Sequence, residues 1–322
     1  MTQNEITVAA IDVGTSRIKF AVKRFDEQCA ESVLALAKTR VHLGDDIAQS
    51  GAFSTQTIED ICKILHQYLK IAKDHNTCTL RCVATEAFRS AKNASEAIGY
   101  IRQKTGIELD ILSQHKEAVL FFRAVSEDFP NETIAVVDVG GGSVQITIGK
   151  DKNVSQSYLL KTGTVFLKNT FIRSPKPNWS EVVAIQKHID DALLSCKIRK
   201  VRTTRLIYGT TNVIDFLEAM SVDLISSSDT KKSSSRNNRF CYPKDLRMLC
   251  NRILETPYKQ RAALYPKEPF FMYGADLALL NVLSICNAFN IEKIHPTNDN
   301  TLSAILRELA ENKCTSFNDV NT

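Results

Sequence analysis

The stretch Asp138-Val-Gly-Gly-Gly-Ser143 combines the residue types that handle phosphate. Three successive glycines let a backbone approach a ligand and aim several N–H donors at it, while Asp138 stands where an oxygen-seeking cation can be held. The β-branched run Ile134-Ala-Val-Val137 precedes this turn and the alternating run Val144-Gln-Ile-Thr-Ile-Gly149 follows it. That pattern is a strand, a tight turn and a returning strand. Phosphate with magnesium is the ligand pair the turn suits; taken alone, it equally suits an ordinary glycine hairpin with Asp138 as a turn residue.

An echo near the N-terminus separates the two. In Val8-Ala-Ala-Ile-Asp-Val-Gly-Thr-Ser-Arg-Ile-Lys-Phe-Ala-Val22, Asp12 aligns with Asp138, Val13 with Val139, Gly14 with Gly140 and Ile18 with Val144. Two copies of strand, Asp-Val-Gly turn and strand, each opening one half of the chain, predict a duplicated domain with two phosphate turns facing one cleft.

The elements that must position these turns follow from the periodicity. Residues 6–41 read as three strands, and Ser54 or Thr55 caps a helix carrying Ile58, Cys62, Leu65 and Leu69 on one face. A strand at Leu80–Ala84 runs into a helix expected from Thr85 to Thr105, stopped by Gly106. A strand at Ile107–Leu112 and a helix at Gln114–Val125 complete an α/β domain over 1–130. A second occupies 131–301, with strands to Lys161, helices at 165–171 and 180–195, a strand at 206–208, helices at 243–254 and 270–289 and a strand at 292–295. The polar segment 226–239 has no apolar residue to bury and is expected to be disordered. A last helix at 302–311 is expected to return to the first half, with a frayed tail from Asn312.

Composition bounds the partners. With 322 residues, 43% hydrophobic and 24% charged, the chain has the make-up of a globular protein of two ordinary domains. No apolar run reaches the roughly 20 residues of a membrane helix, and Met1-Thr-Gln-Asn-Glu5 is too polar for a signal peptide, so the expectation is a cytoplasmic protein without membrane contact. Nine cysteines scattered through apolar segments fit reduced thiols better than disulfides. His75, Cys78 and Cys82 do not suit zinc, because Cys82 falls in a buried strand. The net charge of +5 is concentrated in Lys197, Arg199, Lys200, Arg202 and Arg205, with a second cluster at Lys231, Lys232, Arg236 and Arg239. Such runs are either a solvated face or a track for a polyanion; specific nucleic-acid binding is not expected, and a homodimer is the generic expectation.

The succession Asp12-Val-Gly-Thr-Ser16, Ala84-Thr-Glu-Ala-Phe-Arg-Ser-Ala-Lys-Asn93, Leu112-Ser-Gln-His-Lys-Glu-Ala118 and Asp138-Val-Gly-Gly-Gly-Ser143 resembles the exopolyphosphatase/guanosine pentaphosphate phosphohydrolase (Ppx/GppA) family. The likeness runs from about Val8 to Leu306, and its most specific element is Ala-Thr-x-Ala-x-Arg-x-Ala-x-Asn. The resemblance implies the actin-like, ribonuclease-H-like duplicated α/β fold with the active site in an interdomain cleft, in the short form without added C-terminal helical domains. It implies a magnesium-dependent hydrolase that removes terminal phosphate from inorganic polyphosphate, from guanosine pentaphosphate, or from both.

Phosphoanhydride hydrolysis is mostly positioning and charge neutralisation, with a water aligned behind the phosphorus. Backbone N–H groups of Gly14, Thr15, Ser16, Gly140, Gly141, Gly142 and Ser143 would cradle the phosphate, with Asn93 beside them and hydroxyls from Thr15, Ser16 and Ser143. By the resemblance Arg89 would grip phosphate oxygens in its fork, Glu117 would act as general base, and Asp12 and Asp138 would position magnesium. Without the family motif, Arg89 also reads as a surface ion-pair residue, and Glu117 as an acid in a helix first turn.

Several positions depart from the family pattern. Arg17 stands where a hydroxyl is usual, Val144-Gln145 replace a hydroxyl and a carboxylate, Gln114 replaces a glycine, and Phe166 an arginine. Lys116 stands next to Glu117, where pairing would hold the acid ionised and lower its basicity. The alternative is therefore a catalytically weak or inactive member that binds polyphosphate or nucleotide as a sensor. A sugar or acetate kinase of the same superfamily is the third reading, opposed by the Arg89 motif.

Overall fold

The computed structural model describes residues 5–27, 30–197, 203, 205–210, 212–226 and 239–318, the last six by their backbone alone. The chain divides into two compact units, residues 1–120 with 301–322, and residues 121–300.

The first unit opens with an antiparallel meander, β1 (Ile6–Val13), β2 (Arg17–Phe25) and β3 (Glu31–Arg40). It continues through α1 (Leu43–Ser50), α2 (Thr55–Asp74), β4 (Thr79–Ala84), α3 (Glu86–Ser90), α4 (Ala94–Thr105), β5 (Leu109–Ile111) and α5 (Gln114–Ser126). Its sheet has the order β3-β2-β1-β4-β5, with β4 and β5 parallel to β1. The two-residue period of a strand sends Ala9, Ile11, Val13, Phe20 and Val22 to one face, against Ile61 and Leu65 of α2 and Ala97 and Ile101 of α4. Val8, Ala10, Ala21 and Phe25 point the other way and pack on Leu302, Ile305, Leu306 and Ala310 of the C-terminal helix, Thr301–Asn318. Arg81 of β4 ties that helix down through Glu308 at 2.6 Å.

The second unit repeats the plan. β6 (Thr133–Val139), β7 (Val144–Lys150) and β8 (Asn153–Leu160) form the meander, followed by α6 (Thr164–Phe171), α7 (Trp179–Ser195), β9 (Arg205–Gly209) and α8 (Val213–Ala219). A short ladder of β10 (Ile225–Ser226) and β11 (Arg239–Phe240) leads to α9 (Pro243–Glu255), α10 (Tyr258–Leu264), a 3-10 turn at Pro269–Tyr273, α11 (Ala275–Phe289) and β12 (Lys293–Thr297). The order β8-β7-β6-β9-β12 matches the first sheet strand for strand and sense for sense. This is the duplicated α/β plan that the echo of the two turns implies, and the actin-like architecture that the family resemblance implies.

Local differences from the sequence expectation have identifiable causes. The helix expected over Thr85–Thr105 is two helices, since Ala91 is extended and Lys92 donates its N–H to Gly51 O at 2.8 Å. Asn93 fixes the break: its Oδ1 accepts from Phe53 N and its Nδ2 donates to Phe53 O, both at 2.9 Å. Tertiary hydrogen bonds here outweigh helix propensity. The short helices α1, α8 and α10 carry too few turns to show a periodicity, and the last helix continues past Asn312 to Asn318. Most of the segment expected to be disordered, 227–238, lies outside the described residues. The units divide at Leu120/Phe121, within α5, rather than near residue 130. No helix among the described residues is long and apolar enough to cross a membrane.

One buried charge pair braces the second unit. Arg261 and Asp276 have no solvent exposure and meet at 2.7 Å. Arg261 Nε donates to Thr256 O at 2.8 Å, and the guanidinium lies 4.0 Å from the Tyr258 ring centre. Burial pushes the Asp276 carboxyl up from its usual range and the Arg261 charge opposes that shift. Arg261→Met leaves a buried acid without its cation, so a loss of about 3–5 kcal/mol is expected in urea unfolding, with a much smaller loss for the Arg261→Met, Asp276→Leu pair. A single-mutant loss within experimental error would show that the pair does not hold the unit.

Candidate functional site

The glycine turn of the second unit is shaped by the start of α6. Gly140 N donates to Ser143 O at 2.9 Å, closing the hairpin. Each of the next carbonyls is then taken by an N–H of the β8–α6 corner: Gly140 O by Thr164 N at 3.0 Å, Gly141 O by Val165 N at 2.8 Å and Phe166 N at 3.1 Å, and Gly142 O by Gly163 N at 3.3 Å. All peptide bonds here are trans, which points C=O and N–H in opposite directions within each peptide plane. With three carbonyls turned towards α6, the N–H groups of Gly141, Gly142 and Ser143 must turn away from it. The result is a run of donors suited to an anion.

Close approach at the corner requires Gly163. A Cβ there would lie 2.3 Å from Gly142 C and 2.4 Å from Gly141 O and Ser143 N. In the first unit α1 does the same work more sparsely. Gly14 N donates to Arg17 O at 3.0 Å, Gly44 N donates to Thr15 O at 3.1 Å, and Val41 N donates to Ser16 O at 3.0 Å. Pinning Thr15 O turns the Ser16 N–H outward, and Gly44 is required because a Cβ would meet Thr15 Cγ2 at 2.7 Å.

The two aspartates occupy the same register. Asp12 faces Lys19 across β1 and β2, and Asp138 faces Gln145 across β6 and β7. Asp12 is buried, with Oδ2 3.5 Å from Lys19 Nζ and Oδ1 lacking a hydrogen-bond partner among the described residues. An orphaned carboxylate oxygen at a strand end fits a hard cation or its water. Asp138 is half-buried beside Tyr208, whose hydroxyl is pushed up by burial and secondarily by the Asp138 charge, and so stays protonated. Burial likewise, with a smaller push from Asp12, keeps Cys82 a thiol.

Parallel pairing brings the remaining parts to one edge of the first sheet. Val13 pairs with Ala84, and Ala84 with Ile111, so the turn after β1, the helix after β4 and the helix after β5 all begin at the carboxyl edge. Arg89 of α3 and Glu117 of α5 meet there, with Arg89 Nη1 donating to Glu117 Oε2 at 2.8 Å and to Leu112 O at 2.7 Å. Nη2 reaches Glu86 Oε2 at 3.2 Å. The cation on Glu117 is therefore Arg89, whereas the neighbouring Lys116 is exposed.

Other expected residues are placed differently. Both polar groups of the Asn93 side chain serve the Phe53 backbone, which makes it a clamp on the chain before α2 rather than a ready donor to phosphate. Of the basic run, Arg205 Nε lies 2.8 Å from Glu132 and Lys197 follows the end of α7, while Arg199, Lys200 and Arg202 are outside the described residues. Among the described residues no three His, Cys, Asp or Glu side chains converge on a metal position. Lys19, Glu86 and the Gly163–Phe166 corner escape sequence reading. A glycine directly before an apolar helix start was the available signal for the corner; the i,i+3 spacing of Glu86 and Arg89 was the signal for Glu86, and strand register alone reveals Lys19.

Comparison with known proteins places this geometry. Residues 21–275 match the family model described as the Ppx/GppA phosphatase family. Exopolyphosphatase 2 of Mycobacterium tuberculosis is 29% identical over 276 residues, covering 81% of this chain and 84% of that protein. Among solved structures, the Aquifex aeolicus member of the Ppx/GppA family superposes with a TM-score of 0.80 at 20% identity, covering 96% of this chain and 99% of that one. An exopolyphosphatase from Cytophaga hutchinsonii superposes with a TM-score of 0.82 at 18% identity, covering 95% and 98%. At those identities the structural likeness speaks for the fold.

The corner yields a test. Gly163→Ala must displace the 141–143 turn and is expected to lower phosphate release roughly a hundredfold. Circular dichroism should show an intact fold; an unimpaired variant would mean that the donor run is not part of the site.

Proposed function

Because the chain belongs to the Ppx/GppA phosphatase family, and with it to the phosphoanhydride hydrolases, we propose that it releases terminal phosphate from inorganic polyphosphate in a magnesium-dependent reaction. The observation that carries this reading is the contact of Arg89 with Glu117 at the carboxyl edge that also bears the Asp12 turn. Arg89, Glu117 and the turn come from three different strand ends, and phosphoryl transfer requires their three chemistries together.

The N–H groups of Ser16, Gly141, Gly142 and Ser143, with the hydroxyls of Thr15, Ser16 and Ser143, bind phosphate oxygens. Arg89 neutralises charge on the transferred group and, by holding the Glu117 carboxylate at 2.8 Å, fixes where the base stands. Glu117 takes a proton from the attacking water. Asp12 and Asp138 would hold magnesium, directly or through water, and it would add neutralisation of the phosphate oxygens; the buried Oδ1 of Asp12, without a hydrogen-bond partner among the described residues, supports its place. Likeness to an exopolyphosphatase favours the polymer over guanosine pentaphosphate as the main substrate. A second reading, binding without turnover, draws on Arg89, whose two terminal nitrogens are both occupied by acids, Glu86 and Glu117.

Phosphate release from polyphosphate separates these readings. Wild type with magnesium is expected to turn over, with reversible loss on chelation. Glu117→Gln should fall by roughly 10²–10⁴ in rate while still binding polymer. Equal inertness of wild type and variant, with polymer bound by both, would establish the sensor instead.

A further inference from the structure

We infer that Asn281, in the core of the second unit, is a positioning residue for the phosphate-binding turn, acting through two peptide units on the N–H of Ser143. This rests on the reading of the Gly140–Ser143 turn as a phosphate site, and adds the buried side chain that orients one of its donors.

Asn281 is fully buried on α11, where the adjoining positions Leu280 and Val282 are buried and apolar. Its Nδ2 donates to Leu277 O, one turn back in the same helix, and to Thr162 O, both at 2.9 Å. Both partners are carbonyls, so the nitrogen is the end of the amide that meets them. The other end, Oδ1, has no hydrogen-bond partner among the described residues, and neither has the fully buried Thr162 Oγ1. The amide thus satisfies one buried carbonyl of the corner and leaves its own oxygen unsatisfied, which makes its net gain in stability small. Asp276 and Ser284 of the same helix meet side chains, Arg261 and Gln186, whereas Asn281 meets the backbone of the β8–α6 corner. A polar group kept in an apolar helix for so little stability points to a requirement in what the Thr162 carbonyl controls.

That carbonyl shares a peptide unit with the Gly163 N–H, which donates to Gly142 O at 3.3 Å. Gly142 O in turn shares a peptide unit with the Ser143 N–H. In a trans peptide the two groups point in opposite directions, so fixing one fixes the other. Asn281 therefore orients the Gly163 N–H, that N–H orients the Gly142 carbonyl, and the Ser143 N–H is aimed away from α6. The anchor falls on the weakest link, since the bond from Gly163 to Gly142 is longer than its neighbours at 3.0, 2.8 and 3.1 Å. Residue 163 has no side chain with which to secure itself, because a Cβ there would lie 2.3 Å from Gly142 C. The row carries polarisation as well as direction: a donor on Thr162 O strengthens the Gly163 N–H, and the effect passes to Gly142 O and Ser143 N. An anion accepting from Ser143 N–H polarises the row in the same sense, so its arrival is felt at Asn281.

The experiment titrates the full chain, isotope-labelled at serine and asparagine nitrogens, with tripolyphosphate in the absence of magnesium and follows it by NMR. In wild type the Ser143 amide and the buried Asn281 side-chain amide are expected to move downfield together. Asn281→Leu, close in volume but without a donor, is expected to show Ser143 upfield of wild type before ligand is added. It should bind tripolyphosphate roughly fivefold more weakly, measured where circular dichroism shows it folded. A silent Asn281 signal beside a moving Ser143 would overturn the relay whether or not the variant folds. So would a folded variant with the wild-type Ser143 position and affinity, which would leave Asn281 a purely structural residue. A Ser143 amide that does not respond in wild type would remove the phosphate reading of the turn and the relay with it. Phosphate release from polyphosphate with magnesium is read separately; its absence, with the tripolyphosphate response intact, would sink the hydrolase reading and leave the relay standing.

Discussion

A peptide unit points its donor and its acceptor in opposite directions, and the candidate site depends on that constraint. Three carbonyls of the Gly140–Ser143 turn are held by the first N–H groups of α6, and the turn's own N–H groups are thereby directed the other way. The helix start would otherwise leave orphan donors, and the turn orphan acceptors; each satisfies the other. Glycine is required on both sides of this contact, because backbone touches backbone at 163 and leaves no room for a Cβ. The first unit uses Gly44 and Val41 against Thr15 and Ser16 in the same topological place, after the third strand of its meander. Duplication has preserved a device as well as a fold.

Charge is arranged around these turns with unequal economy. Arg89 is shared by Glu86, Glu117 and the Leu112 carbonyl, so its guanidinium is rigidly held before any ligand arrives. In the proposed chemistry such preorganisation lowers the reorganisation needed at the moment of phosphoryl transfer. Asp12 is the opposite case, a buried carboxylate with one oxygen near Lys19 and the other without a hydrogen-bond partner among the described residues. A cation or its water would satisfy that oxygen, which is why the proposed chemistry includes magnesium. The buried Arg261–Asp276 pair also keeps Arg261 Nη2 and Asp276 Oδ1 without a hydrogen-bond partner among the described residues, but it lies wholly inside the core and serves the packing of α10 on α11.

Much of the fold was legible because the periodicities are strong. The meanders, the long helices α2 and α7 and the two Asp-Val-Gly turns follow from apolar alternation and glycine placement. Arg89 and Glu117 were legible only through the family motif, since neither stands out from ordinary helix-surface charges. Asn93 belongs to the same motif, yet its amide is spent on Phe53, forty residues earlier in the chain. A motif shows that a residue type is needed without saying whether a ligand or the protein's own backbone needs it.

The sequence by itself determined the strands, the turns and the repeat, because these rest on contacts between residues near each other in the chain. Which side of each turn presents its donors, which acid Arg89 grips, and which buried side chain holds the Thr162 carbonyl were decided by the tertiary structure. Those outcomes depend on strand register and on helix starts brought in from distant segments, and no local pattern encodes a register that is set by packing on both faces of a sheet.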